Sequence, residues 1–175
     1  MRHSRITGLA TALLLAMAMA PALAADKPTD PQIAHIAYTA GVIDIKAAEQ
    51  ALAKSKNASV IAFAKDMVRD HKAVNDKALA LVKKLKVTPE DNDTSKSLTK
   101  QADDKYADMA KLSGAAFDTA YAENEVAYHT TVNGALETTL IPSATNKDLK
   151  SLLETGLKIF KGHEQHAEQM AKKLH

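Results

Sequence analysis

Apolar residues recur along this chain at the spacing of helix faces, in four long stretches separated by polar breaks. At 100° per residue, Ile33, Ala37, Ala40, Ala47 and Ala51 share one face of a helix expected from Asp30 to about Lys54. Asp30 is positioned to cap it and Pro31 to fill its first turn. A short polar link over 55–59, with Asn57 or Ser59 as the next cap, leads to a second helix expected over about 60–87. Its buried face carries Val60, Ala64, Met67, Val74, Ala78, Val82 and Leu85. A third helix, about 115–140, has Phe117, Tyr121, Tyr128, Val132, Ala135 and Leu136 on its inner arc. The turn Ile141-Pro142-Ser143 introduces a fourth, about 144–173, with Leu149, Leu152, Leu153, Gly156, Phe160, Ala167, Met170 and Leu174 facing in.

Between the second and third helices lies a solvated loop over 88–93 and a polar, weakly amphipathic helix over about 95–111. This segment reads as a crossover or a cover. Two short hairpins and one long middle connection predict an all-α, ferritin-like four-helix bundle. The long connection favours a crossover topology over simple up-down-up-down. No repeat of solenoid period is present.

Six polar residues interrupt these apolar faces: Asp44, His71, Asp118, Glu125, His129 and His163. An unpartnered buried polar group costs about 1–3 kcal/mol, and a charge costs more. A bound metal ion is the most economical explanation. Counting from the turns puts Asp44 and His71 at similar height. It puts His163 opposite Tyr121, with Asp118 and Glu125 one turn to either side. His129 then lies about two turns away, joining by helix offset or forming a second site. Imidazole with carboxylate suits Zn, Fe, Mn, Ni or Cu(II). Ferritin-type di-iron sites need Glu-x-x-His, but Val68, Val126 and Phe160 stand three residues before His71, His129 and His163. A mononuclear site is therefore expected. His35 and His166 read as surface residues, and Met67 and Met170 as packing residues.

The first residues change the charge argument. Arg2, His3 and Arg5 precede an apolar run over 6–20 and the small-x-small signal Ala22-Leu23-Ala24. This predicts a secretory leader, 1–24, cleaved after Ala24, and one mature domain, 25–175, in the periplasm or outside the cell. The leader holds two of the 23 basic residues and none of the 21 acidic ones, so the mature chain is balanced. No pull toward nucleic acid or anionic lipid is expected, nor a membrane span in the mature chain. A homo-oligomer is left open. The chain has no Cys, which excludes disulfides and thiolate-bound metal. No nucleophile–base arrangement or phosphate loop supports an enzyme.

Phe63, Met67, Val68, Asp70, His71 and Asn75 form an F-x-x-x-M-V-x-D-H-x-x-x-N segment. Phe117, Asp118, Tyr121, Val126 and His129 form an F-D-x-x-Y … V-x-x-H segment, and His163 follows in the last helix. In order and spacing these resemble the DUF4142 family across the whole mature chain. Asp44, after Gly41, stands where that family usually carries Glu, and Tyr128 where it often has Asp. The resemblance implies an exported, ferritin-like helical domain and supplies no reaction. Two readings stay open: metal binding or buffering through the His/carboxylate cluster, or a structural or stress-response module whose buried His–Asp network only fixes packing.

Overall fold

Thr29, not Asp30, caps the first helix. Its hydroxyl accepts from the Gln32 amide, and the Gln32 side chain accepts from the Thr29 amide at 3.1 Å. Asp30 is engaged elsewhere: its carboxylate accepts from the amides of Thr145 and Asn146 at 2.8 and 2.9 Å. It thereby ties the start of the first helix to the last turn of the chain. The computed structural model describes residues 27–174, so the expected leader and its cleavage point lie outside the described residues.

Helix α1 (Asp30–Lys54) is followed by α2 (Ala58–Leu85), capped by Asn57 and closed by Lys86 in the left-handed region. Helix α3 (Asp93–Ala110) is capped by Asn92 and Ser95. Gly114, at φ 57°, reverses the chain into α4 (Gly114–Ala135). The third stretch does not run as a plain α-helix to Leu140. It passes through a π-helical turn, Leu136–Leu140, and a single turn, α5 (Ile141–Ser143). Pro142 cannot donate to the carbonyl four residues back and crowds it, and the wider turn relieves that conflict. Asn146 then caps α6 (Lys147–Leu174) through the amides of Asp148 and Leu149. Ala135, expected inside, is exposed, because the buried arc of α4 steps through Tyr121, Glu125, His129 and Asn133.

Long-range contacts give the topology. Lys84 pairs with Asp148 and Phe63 packs on His166, so α2 and α6 are antiparallel. The Tyr128 hydroxyl donates to the Ala40 carbonyl and Lys54 lies over Phe117, so α1 and α4 are antiparallel too. Helices α2 and α4 therefore run the same way, which requires the chain between them to travel the length of the bundle. Helix α3 does this along the outside of α1. Asn92 donates to the Gln32 carbonyl at one end, Tyr106 to Ile43 midway, and Ala110 accepts from Lys54 at the other. The expected crossover is present, and α3 is both crossover and cover.

The interior divides into two apolar clusters. One holds Ala47, Ala51, Val60, Phe63, Met67, Phe117, Tyr121, Ala167 and Met170, and the other Ile33, Ile36, Leu136, Leu140, Leu149, Leu153 and Phe160. Burying each large side chain stabilises the fold by about 1.5–3 kcal/mol. A layer of acids and imidazoles lies between them. Among the described residues, no helix is long and apolar enough to cross a membrane.

Candidate metal centre

Each helix of the bundle sends polar side chains into this layer. Asp44 comes from α1, His71 from α2, Glu125 and His129 from α4, and His163 from α6, all buried. Helices α1 and α2 can come close because Gly41 has no side chain. A Cβ there would meet the Asn75 amide oxygen at 2.3 Å. Gly41 lies about one turn before Asp44, and Asn75 about one turn after His71. The tight crossing thus sits beside the pair that has to meet.

Oδ2 of Asp44 is 3.5 Å from Nε2 of His71 and 3.4 Å from Nε2 of His129. One oxygen of Glu125 is 3.6 Å from Nδ1 of His129. The rings of His71, His129 and His163 lie 5.3–5.7 Å apart, centre to centre. One nitrogen from each histidine falls within 4.8 Å of the other two, and so do donor atoms of Asp44, Glu125 and His129. His129 belongs to both groups.

Two of the three imidazoles are oriented from behind. Nδ1 of His129 faces the Glu125 carbonyl at 3.0 Å, and Nε2 of His163 faces Oδ2 of Asp70 at 3.0 Å. His71 instead stacks flat on Phe160, 4.3 Å between centres and 3° between planes. The atoms left over have no hydrogen-bond partner: both oxygens of Asp44 and Glu125, both nitrogens of His71, Nε2 of His129 and Nδ1 of His163. The Asp44–histidine approaches are short enough for ion pairs but lack hydrogen-bond geometry. So many orphaned atoms in one layer are unusual in a folded protein.

The electrostatics follow from burial. Loss of water pushes the Asp44 carboxyl up to about 8. Burial, with Asp44 adding repulsion, holds Glu125 well above the usual carboxylate range. Asn124, its chain neighbour, offsets a little of this without reaching hydrogen-bond geometry. Burial holds His71 well below its ordinary value, with His129 and His163 adding to the effect. It pushes His129 down to about 4 and also lowers His163, where Asp70 opposes it. The metal-free centre therefore contains neutral imidazoles and protonated acids. Neutral imidazole is the form that binds a metal, and each acid becomes a ligand by releasing a proton.

Of the six residues the sequence singled out, five meet here. Asp118 does not: it is buried about two turns before Glu125, outside both donor groups. His129, expected two turns off the level, is instead central. The reason is the π turn and α5, which carry the chain past Pro142 and place the reversal at 144–146. The register of α6 against α4 then slides by about two turns, bringing His163 opposite His129 rather than Tyr121. His166 is exposed, as expected. His35 is not fully exposed: its ring sits partly buried, 4.0 Å from Asp91. Asp70 and Phe160 were not recognised as part of the site. Asp70 lies about 100° round the helix from His71, and only the packing of α6 reveals its partner.

The family described as "Domain of unknown function (DUF4142)" matches residues 15–170. No curated protein matches the chain. A solved structure, "CopM in the Cu(II)-bound form", is similar with a TM-score of 0.65 at 11% identity, covering 86% of this chain and 100% of that one. At that identity the likeness is one of fold.

Proposed function

The chain belongs to the DUF4142 family, and from that premise and the buried centre we propose that it binds one divalent transition-metal ion in the bundle core. His71, His129 and His163 supply nitrogen donors, and Asp44 and Glu125 supply the charge. The observation that carries this reading is the set of orphaned donor atoms, all buried and drawn from every helix of the bundle. A metal ion would give each of these residues a partner, through one nitrogen of each histidine and a carboxylate oxygen of each acid.

Charge narrows the occupant. Three neutral imidazoles and two carboxylates around one divalent ion make a neutral centre. Two divalent ions would leave a net positive charge in an apolar interior, which is costly. One divalent ion is the balanced filling. The donor set suits Cu(II), Zn, Ni, Fe or Mn. The Cu(II)-bound form of the structural neighbour supports copper as the first ion to try. With the leader read from the sequence, the role becomes metal binding or buffering outside the cytoplasm. Asp118 is left out of the ligand set.

A purely structural network is the second reading, favoured by the stacking of His71 on Phe160 and the bond from His163 to Asp70. It does not account for Asp44 and Glu125, whose oxygens are buried without a hydrogen-bond partner. Titration of chelator-treated protein with Cu(II) distinguishes the two. One saturating equivalent, with imidazole nitrogen couplings in the electron paramagnetic spectrum, supports the centre. Absence of binding, or only weak binding at several surface histidines, rejects it.

A further inference from the structure

We propose that Asp70 is the positioning residue of the centre: it fixes the His163 ring so that Nδ1, and not Nε2, meets the ion. This rests on the metal-binding reading above and goes on to say which atom of His163 binds and what holds it there.

Arg69 forks the Asp70 carboxylate, with Nε to Oδ1 at 2.7 Å and Nη2 to Oδ2 at 3.0 Å. The remaining arm of Arg69 reaches Asp66 at 2.6 Å. Held by both arms of a guanidinium fork, Asp70 faces His163 as a carboxylate. An ionised carboxylate only accepts, so the hydrogen between Asp70 and His163 belongs to Nε2 of His163. The lone pair is then on Nδ1, which is buried and without a partner.

His129 repeats the pattern with the nitrogens exchanged. A backbone carbonyl also only accepts, so Nδ1 of His129 donates to Glu125 and Nε2 keeps the lone pair. Backing of a ligand imidazole by a carboxylate or carbonyl fixes both tautomer and ring orientation in metal sites generally. The two backings differ in exposure. The one at His129 is intrahelical and sealed, with the side chain 2% exposed. The one at His163 crosses the α2–α6 seam to Asp70, itself 25% exposed, and His163 is 10% exposed. Of these two rings His163 therefore has the more freedom to turn over, and Asp70 is the side chain that prevents it.

Zinc, being diamagnetic, allows the test by nitrogen-15 NMR of the histidine rings, with Asp70→Ala beside the unaltered chain. In the unaltered protein, zinc is expected on Nδ1 of His163 while the Nε2 proton remains visible and hydrogen-bonded. Asp70→Ala should lose that proton signal and bind zinc about 10–100-fold more weakly, with its helical content kept. Zinc on Nε2 of His163, or equal affinity in the two proteins, overturns the role of Asp70 while leaving the metal centre standing. If neither protein binds zinc or any other divalent ion, the centre falls and this assignment with it.

Discussion

Oδ2 of Asp44 and Nε2 of His129 face each other at 3.4 Å in the centre of the bundle, both buried, and neither has a hydrogen bond. Were stability alone at stake, apolar side chains would serve better there. Glu125, equally buried and unpartnered, is the cleanest place to check this. Glu125→Met is of similar size and should stabilise the metal-free protein by about 1–3 kcal/mol, the cost of an unpartnered buried polar group, read by urea denaturation in chelator. The same variant should gain less stability from added metal. A variant destabilised without metal and unchanged in its response to metal contradicts the assignment.

The tight approach of α1 to α2 gives a second prediction. Gly41→Ala places a Cβ against the Asn75 amide, which also donates to the Tyr38 carbonyl at 3.5 Å. Separating the helices should cost about 1–3 kcal/mol. Because Asp44 and His71 face each other about one turn from that crossing, metal affinity should fall as well. Denaturation and metal titration of one preparation report both effects. Unchanged affinity in a destabilised variant would show that the crossing serves packing alone.

Acidity provides a third. The folded Asp44 carboxyl stands near 8 against an ordinary 3.8, so its contribution to stability is full below about pH 4 and lost as pH rises through 8. Glu125 is shifted the same way. His129 runs opposite, near 4 against an ordinary 6.5, so its contribution is present above 6.5 and lost as pH falls toward 4. His71 and His163 share its direction. From pH 6.5 to 8 the acids alone are changing, and the metal-free protein should lose stability. Metal affinity should rise over the same interval, by about tenfold per pH unit for each proton released. Denaturation in chelator and metal titration at the two ends of the interval check both slopes. Flat slopes would contradict a centre built on protonated acids.

A fourth concerns the fold alone. Asp30 holds the turn before α6 through Thr145 and Asn146. Burial alone would raise its pKa, but these bonds outweigh burial and lower it. Its stabilisation is therefore present above about pH 4 and lost on further acidification. Asp30→Ala should cost about 1 kcal/mol at neutral pH, modest because the site is partly exposed. That difference should shrink toward pH 2, with metal affinity unaffected. Melting curves at pH 7 and at low pH give the comparison.

Much of this fold can be read from the period of Ala, Val, Leu and Phe, because each helix must turn its apolar stripe inward. The crossover was legible from the length of the segment between the second and third helices. The polar residues stood out because they break those stripes, and five of the six converge. What could not be read was register. A hairpin's level is set by where its turn falls, and the π turn before Pro142 moved that point past the obvious Ile141-Pro142-Ser143 signal. Asp118 was drawn in, and His129 displaced, by that single shift. Asp70 stands in the Asp-His motif but carries no site role in the sequence, because it lies off the axis of the apolar face and its meaning depends on His163, 93 residues away.

The claim on which the rest depends is that the bundle core holds a metal ion. The direct measurement is the melting temperature of untagged protein, with chelator and with one equivalent of Cu(II) or Zn(II), beside a His71→Ala, His129→Ala double variant. The account predicts a clear rise with one equivalent, no further rise with more, and loss of the effect in the double variant. Melting that is the same in chelator and in metal, or a rise that survives without His71 and His129, would contradict it.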